Sequence, residues 1–210
     1  MLWPKKGNVA FGAGDSVVSG DPTVAWVDWM IESPDVNLHA AAYREAANLI
    51  VLALAEGQHS WGYDKFFFPV AYLYRHAIEL SLKECISYAV QLQLIQNDEE
   101  LRKVIDGHNL YKLWNKLKPG IEYFWSGSDR EPVIAAETVI SEFHQLDKSG
   151  QEFRYPLTKE GKRSLSSSSA KLHSVDLEQL RDVAGGVCTF LDGCTAGFSN
   201  TLDSLPSDYY

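Results

Sequence analysis

Five side chains that can bind phosphate or move protons lie at helical spacing within one stretch of this chain. The stretch, residues 66–86, is rich in Ala and Leu and is unbroken after Pro69, which predicts one long helix. An arginine there could hold a phosphate in a bidentate fashion, a histidine could act as acid or base, and a lysine could supply charge. On a helical wheel the five positions share a sector of about 100°: Arg75, Glu79, Tyr72, Lys83 and His76.

The rest of this helix is apolar, so the polar sector needs an explanation. Buried charges are costly unless they are paired. In a structural arrangement, Arg75 would pair with Glu79 one turn later, and Lys83 would pair with Glu79 or Glu84. In a functional arrangement, Arg75 would grip a phosphate and His76 would transfer a proton. The sequence leaves both arrangements open.

Further polar residues follow this helix. Gly107-His108-Asn109 opens the next predicted helix, and the dipole of a helix N-terminus would keep a histidine neutral and attract phosphate. A capping or network role is the alternative for His108. Residues 152–156 are predicted to be extended, with a proline, Pro156, that suits an edge. They would bring Arg154 to the polar sector, with Asp147 as its counter-charge.

The chain lacks the sequence motifs of several other enzyme and metalloprotein classes. The chain has no GxSxG, GxxxxGK[ST] or HExxH, which are the patterns of serine hydrolases, P-loop proteins and zinc proteases. It lacks the two Glu-x-x-His motifs on paired helices that di-iron bundles use. Cys85, Cys188 and Cys194 lack metal-site spacing, and nothing local supports a papain-type Cys–His pair. We therefore predict no metal and no cofactor.

The composition limits the partners and the compartment. The formal net charge of −9 over 210 residues argues against nonspecific duplex DNA binding, which needs a broad basic face. Three cysteines without a CxxC motif suit a reducing cytosol. The chain starts without the apolar run of a signal peptide, and it lacks an apolar stretch of about 18 residues. We expect a soluble cytoplasmic protein that does not bind membranes.

The apolar periodicity predicts an all-α protein, an antiparallel helical bundle of about five main helices. Ser33-Pro34 should open a helix that ends at about Glu56. Residues 97–103 should form one or two helical turns. A third long helix should begin at His108 and be interrupted by Pro119-Gly120.

Two more helices are predicted after that interruption. Ser128 and Glu131 fit a capping box, with Ser as N-cap and Glu at N3. Ser174 should cap the final helix. Gly185-Gly186 weakens the middle of that helix by roughly 1 kcal/mol per glycine, which indicates close packing or a kink.

We divide the chain into three parts. Residues 1–32 are predicted to form an irregular N-terminal arm, with a short helix that begins at Asp21-Pro22. Gly12-Ala13-Gly14 lacks the third glycine of a phosphate loop and is assigned to the arm. Residues 33–198 form the bundle, and residues 199–210 form a tail.

The order of these motifs resembles bacterial proteins of the HEPN superfamily, small helical bundles found in toxin–antitoxin and phage-defence systems. The resemblance spans roughly residues 35–195 and implies a homodimer. Many members are metal-independent ribonucleases, whereas others are noncatalytic modules. The motifs that carry it are Arg75-His76-x-x-Glu79-Leu80-x-Leu82-Lys83, Gly107-His108-Asn109-Leu110-x-x-Leu113, Asp147 and Phe153-Arg154-Tyr155-Pro156.

In that superfamily an Arg and a His, four to six residues apart, hold the scissile phosphate across the dimer cleft and assist attack by the 2′-hydroxyl. Arg102 and His108 have five residues between them. The resemblance implies an endoribonuclease or, alternatively, a noncatalytic module that binds a nucleotide, RNA or a partner protein such as an antitoxin. The catalytic residues that we expect are Arg75, His76, His108 and Arg154. The binding residues that we expect are Tyr72, Glu79, Lys83, Arg102, Asn109 and Asp147.

Overall fold

The computed structural model describes residues 35–57, 63–157, 161, 165 and 174–206. Contacts divide the chain into two compact units, Met1–Asp35 and Val36–Tyr210. The predicted N-terminal arm and its short helix lie outside the described residues. The second unit contains the α-helices α1 (Val36–Ala55), α2 (Phe67–Gln91), α3 (Glu99–Ile105), α4 (Leu110–Phe124), α5 (Glu131–Leu146) and α6 (Leu177–Asp203), and a 3-10 turn at Tyr63–Lys65.

The all-α prediction is confirmed. The described ranges contain five long helices and the short α3, and no β-strand. α6 continues to Asp203, so residues 199–203, which we assigned to a tail, belong to the last helix. None of the helices in the described ranges is long and apolar enough to cross a membrane.

The long helix predicted within residues 66–86 is α2, and it is the central helix of the bundle. It packs against α1, α6 and α4, and Pro69 lies in its first turn, where a missing N–H costs little. Burial extends around most of its circumference. Its buried residues are Val70, Ala71, Tyr74, Arg75, Ala77, Ile78, Glu79, Ser81, Leu82, Cys85, Ile86 and Ala89.

Contacts between side chains show the direction of each neighbour of α2. Tyr74 Oη donates to Asn48 Oδ1 at 2.6 Å and the His76 ring meets the Tyr43 ring, so α1 runs antiparallel to α2. α4 runs in the same direction as α2, because its start lies beside Glu79 and its end beside Ile95. α5 reverses again, since Lys118 pairs with Glu137 at 2.7 Å and Tyr111 stacks on His144.

The predicted interruption at Pro119-Gly120 is wrong, because α4 continues through both residues to Phe124. Pro119 is exposed and Gly120 is buried, and a Cβ built on Gly120 would lie 3.5 Å from Ile95 Cγ1. The buried face of Trp114, Leu117 and Ile121 continues across the proline. Burial of that face outweighs the cost of an internal proline, which is about 3 kcal/mol.

Three predicted helix starts are wrong by two residues. α4 begins at Leu110, with Asn109 as its N-cap, instead of at His108. α5 has Arg130 as N-cap instead of Ser128, with Pro132 in its first turn. With Ser128 as N-cap, Pro132 would stand where the first intrahelical N–H bond is made, which proline cannot form. α6 is capped by Asp176 instead of Ser174, and the Asp176 carboxylate accepts from the N–H groups of Glu178 and Gln179.

Gly185-Gly186 does not interrupt α6. A Cβ built on either glycine meets no other described atom within 4 Å. Close packing within the described part of the chain therefore does not explain this pair.

Candidate functional site

α2 carries a ladder of three charged side chains, each one turn after the last. Arg75 Nη1 lies 2.7 Å from Glu79 Oε2, and Lys83 Nζ lies 2.9 Å from Glu79 Oε1. The spacing of four residues places all three on one face of the helix. The pairs predicted in the structural arrangement are thereby confirmed.

His108 completes this ladder from the connection between α3 and α4. Its Nδ1 lies 2.8 Å from Glu79 Oε1, and its backbone carbonyl accepts from Arg75 Nη2 at 2.5 Å. Asn109 is the N-cap of α4 and accepts from Lys112 N at 2.9 Å, which fixes the backbone beside the histidine. The imidazole is 59% exposed, so it connects the buried ladder to the surface.

The turn after α5 approaches the same arginine from a third side. Asp147 Oδ2 lies 3.1 Å from Arg75 Nε, and both side chains are buried. This contact is an ion pair without a hydrogen bond between Nε and Oδ2. Gly150, at φ +78°, lies against the guanidinium, where a Cβ would come within 3.1 Å of Nη2. Arg75 thus holds α2, the start of α4 and this turn together.

Arg75, Glu79, Lys83, His108 and Asp147 are called the Arg75 network below. Their contacts use the Nε, Nη1 and Nη2 atoms of the arginine, which is 1% exposed. A guanidinium in this state cannot grip a phosphate without losing a buried partner. The structure therefore supports an anchoring role for Arg75 and does not support the phosphate contact that we expected.

The buried carboxylate at the centre of the network stays ionised. Burial alone would raise the pKa of Glu79, but hydrogen bonds from His108, Lys83 and Arg75 outweigh it and lower that pKa to about 2. Glu79 is therefore an anion at neutral pH. An anion at this position accepts from Nδ1 of His108 and so fixes the tautomer and the orientation of the ring.

The second carboxylate is shifted in the opposite direction. Burial raises the pKa of Asp147, and so does a shared hydrogen bond with Glu152, whereas Arg75 opposes the shift. Glu152 N also donates to Asp147 Oδ1 at 3.2 Å. The Asp147–Glu152 pair holds its proton to a higher pH than an isolated aspartate would.

His76 lies outside the network, in a stack of rings. Its ring is parallel to that of Tyr72 at 5.7 Å between centroids and meets the edge of Tyr43 at 4.5 Å. Burial lowers the pKa of His76, so the ring is neutral at pH 7. The exposed Arg154 covers the other end of the stack, with its Cζ 5.7 Å from the Tyr72 centroid and 5.5 Å from that of Tyr155.

Two expectations about Arg154 are wrong. Asp147 is the counter-charge of Arg75, whereas the contacts of Arg154 are with aromatic rings. The extended conformation predicted for residues 152–156 is not found, because residues 152–154 form a turn in which Arg154 N and Tyr155 N both donate to Gln151 O at 3.0 Å. The turn brings Arg154 to Tyr72 even so.

Arg102 is separate from the network. It lies on α3, is exposed, and donates from Nε to Asn97 Oδ1 at 3.2 Å. α3 ends at Ile105. Arg102 is therefore on a helix, whereas His108 is in the non-helical connection that follows it. The expected Arg–His pair is not assembled within this chain among the described residues.

The sequence analysis did not identify two residues that shape the turn after α5, Gly150 and Glu152. The signal for both was the turn Asp147-Lys148-Ser149-Gly150, because a glycine in a tight turn often has positive φ. Glu152 Oε2 accepts from Ser149 Oγ at 2.9 Å, which closes that turn. No group of three or more His, Cys, Asp or Glu side chains in the described residues is arranged to hold a metal ion.

No protein-family model matches this chain, and comparisons with curated proteins and with solved structures find no significant similarity. The geometry of the Arg75 network and of the neighbouring ring stack is therefore what supports a function. Its most reactive feature is an exposed imidazole whose inner nitrogen is held by a buried, ionised carboxylate.

Proposed function

We propose that this protein is a HEPN-like, metal-independent endoribonuclease of a bacterial defence or toxin–antitoxin system, with His108 as its general base. The observation that carries the proposal is the 2.8 Å contact between Glu79 Oε1 and His108 Nδ1. Carboxylate–histidine pairs of this kind orient the ring and stabilise the imidazolium that forms during proton transfer.

The proposed chemistry begins at the outer nitrogen of His108. Because Nδ1 donates to Glu79, the lone pair of Nε2 is free to accept the proton of an RNA 2′-hydroxyl. The 2′-oxygen then bonds to phosphorus, and the bond from phosphorus to the 5′-oxygen breaks. The imidazolium returns its proton to that 5′-oxygen. The products are a 2′,3′-cyclic phosphate and a free 5′-hydroxyl.

The cations at the surface of the site have separate roles in this proposal. Arg154 is exposed, and its described contacts are with the faces of two tyrosine rings, so its N–H groups remain available to phosphate oxygens. Lys83 lies on the same carboxylate oxygen as His108 and adds positive charge beside the imidazole. Arg75 acts as the anchor beneath them. We place the protein in the cytoplasm as a homodimer.

The test compares purified wild-type protein with His108→Ala and Glu79→Gln variants on RNA in EDTA. General-base catalysis contributes about 10²- to 10⁴-fold, so His108→Ala should lose at least about 100-fold of the cleavage rate. The matched control is His39→Ala on the first turn of α1, which should cleave as the wild type does. Circular dichroism shows whether each variant is folded.

A noncatalytic HEPN-like module that binds a nucleotide, RNA or a partner protein is the second candidate. The buried state of Arg75 favours it, since the guanidinium is committed to three described partners. The net charge of −9 also favours a ligand that is bound locally rather than along a broad basic surface. Binding of RNA without cleavage by folded wild-type protein would support this candidate.

A further inference from the structure

The positive charge of the described helices is concentrated on α4. This helix carries three lysines and one glutamate, and it is the only α-helix in the described ranges with a net positive charge. α5 carries three glutamates without a lysine or arginine, and α6 carries four acidic residues and one arginine. In a protein that is acidic as a whole, such a helix is where a polyanion would be attracted locally.

Two exposed lysines beside the start of α4 have no carboxylate partner. The other two lysines of α4 pair with glutamates of α3 and α5, whereas Lys112 and Lys148 form no ion pair with a carboxylate of the described residues. Lys112 lies in the first turn of α4. Lys148 lies in the turn after α5, near the ring of His144, whose pKa it helps to lower. Both ammonium groups are therefore available to phosphate oxygens.

An exposed aromatic pair lies beside these lysines. Tyr111, in the first turn of α4, is 42% exposed. Its ring stacks on that of His144, with 5.9 Å between the centroids and 15° between the planes. Burial, together with the charges of Lys148 and Arg75, lowers the pKa of His144, so this ring is neutral at pH 7. The stack fixes the orientation of the tyrosine ring, and the exposed surface of that ring is one on which a nucleobase can stack.

The aromatic pair is also close to the proposed general base. Tyr111 follows His108 by three residues, so their Cα atoms are at most about 11 Å apart. Neighbouring nucleotides of one strand could therefore place a phosphate at His108 and a base on Tyr111. Only an unpaired base can do this, because the bases of a duplex are already stacked and paired.

We propose that Tyr111, supported by His144, is a stacking subsite for an unpaired base of single-stranded RNA, and that Lys112 and Lys148 bind the phosphates beside that base. The inference rests on the proposed ribonuclease function, from which it takes RNA as the ligand, and it narrows the substrate class to single strands. Stacking on an aromatic ring and contacts from lysines to phosphates are largely independent of sequence. The subsite should therefore accept any base.

The test is fluorescence anisotropy of an end-labelled 2′-O-methyl oligoribonucleotide in EDTA. The methyl group blocks attack by the 2′-oxygen, so binding is measured without cleavage. Tyr111→Ala should raise the dissociation constant by about 5- to 150-fold, and Tyr111→Phe should bind as the wild type does. The matched control is Tyr123→Ala, at a 76% exposed tyrosine near the other end of α4, about 18 Å away along the helix axis. This control should keep the wild-type affinity.

Two further measurements separate the base contact from the phosphate contacts. A strand of the same length without bases keeps its phosphates, so it should bind the wild type and Tyr111→Ala equally. Replacement of both Lys112 and Lys148 by alanine should reduce the slope of log K against log salt concentration by about 1.4, because each phosphate contact on a single strand contributes about 0.7.

The outcomes distinguish this subsite from the ribonuclease function. If the wild type binds the methylated strand, the Tyr111→Ala loss is found and natural RNA stays intact, the subsite stands and the ribonuclease function fails. If natural RNA is cleaved but Tyr111→Ala binds the methylated strand as tightly as Tyr123→Ala does, the subsite is overturned and the ribonuclease function stands. A folded wild type that does not bind the methylated strand would also overturn the subsite.

Discussion

Arg75 joins three segments that are far apart in sequence, and its burial sets the energetic importance of each contact. Its partners are Glu79 on the same helix, the backbone of His108 and the carboxylate of Asp147. A buried ion pair adds little net stability over an apolar replacement, but removal of one partner leaves an uncompensated charge. The network is therefore sensitive to the loss of its single cation.

Replacement of Arg75 by Ala should lower the free energy of unfolding by about 3–5 kcal/mol, because Glu79 and Asp147 would remain buried. Urea denaturation followed by circular dichroism measures this change. Arg102→Ala, at an exposed position on α3, is the control and should change stability by no more than about 0.5 kcal/mol. Equal stability of the two variants would show that the network does not anchor the fold.

Glu79 should make stability depend on acid pH. Its pKa is lowered from 4.5 to about 2 in the folded protein, so the unfolded chain binds a proton first as pH falls. The stability that the carboxylate contributes is complete above about pH 4.5 and is lost as pH falls towards 2. Urea denaturation of wild type and Glu79→Gln over this range should give a difference that shrinks with acidification.

The exposed Glu99, which pairs with Lys103 on the surface of α3, supplies the control for that titration. Glu99→Gln should leave the acid dependence of the wild type unchanged, because exposed pairs contribute little. If Glu79→Gln kept the full acid dependence, the groups that face Glu79, namely His108, Lys83 and Arg75, would not depress its pKa as described.

At the scale of elements, the turn after α5 decides how closely Asp147 and His108 approach the arginine. Gly150 lies at φ +78°, and a Cβ there would be 3.1 Å from Arg75 Nη2 and 3.2 Å from His108 Cβ. Both the backbone conformation and the lack of space require glycine at this position. The turn is therefore a fitted part of the site rather than a neutral connection.

Gly150→Ala should be more destabilising than Gly127→Ala, measured by urea denaturation. Gly127 also has positive φ, at +91°, but a Cβ there meets no other described atom within 4 Å. Both variants strain the backbone at a positive φ. Only Gly150→Ala also brings a Cβ against the Arg75 guanidinium, which should cost about 1–3 kcal/mol more. Equal losses would mean that the Arg75 side chain moves aside freely.

The helices themselves could be predicted from sequence, because apolar periodicity is strong in α1, α2 and α6 and breakers stand at Gly57 and Asp106-Gly107. The errors were at helix ends and at Pro119. Capping residues compete locally, and Pro132 decides where α5 starts. The continuation of α4 through Pro119 depends on tertiary burial of Trp114 and its neighbours, which no local pattern records.

For the site, the i, i+4 pairs of α2 followed from helical spacing, whereas the choice of partners from other segments did not. Asp147 was expected beside Arg154 and lies beside Arg75 instead. That choice depends on where the turn after α5 crosses α2, which is a property of the assembled bundle. The exposure of His108 depends on the same packing.

At the scale of the whole molecule, the net charge limits the proposed binding of RNA to a small surface. The net charge is −9, so long-range attraction does not favour RNA, and contacts at His108, Lys83, Arg154 and the start of α4 would have to supply the affinity.

The measurement that tests the central claim most directly is cleavage of an end-labelled RNA in EDTA by wild type and by His108→Ala, with analysis of the new 3′ ends. The account predicts that the wild type leaves 2′,3′-cyclic phosphate ends and that a folded His108→Ala variant is slower by at least about 100-fold. Cleavage by the variant at the wild-type rate, or intact RNA after incubation with the folded wild type, would contradict it.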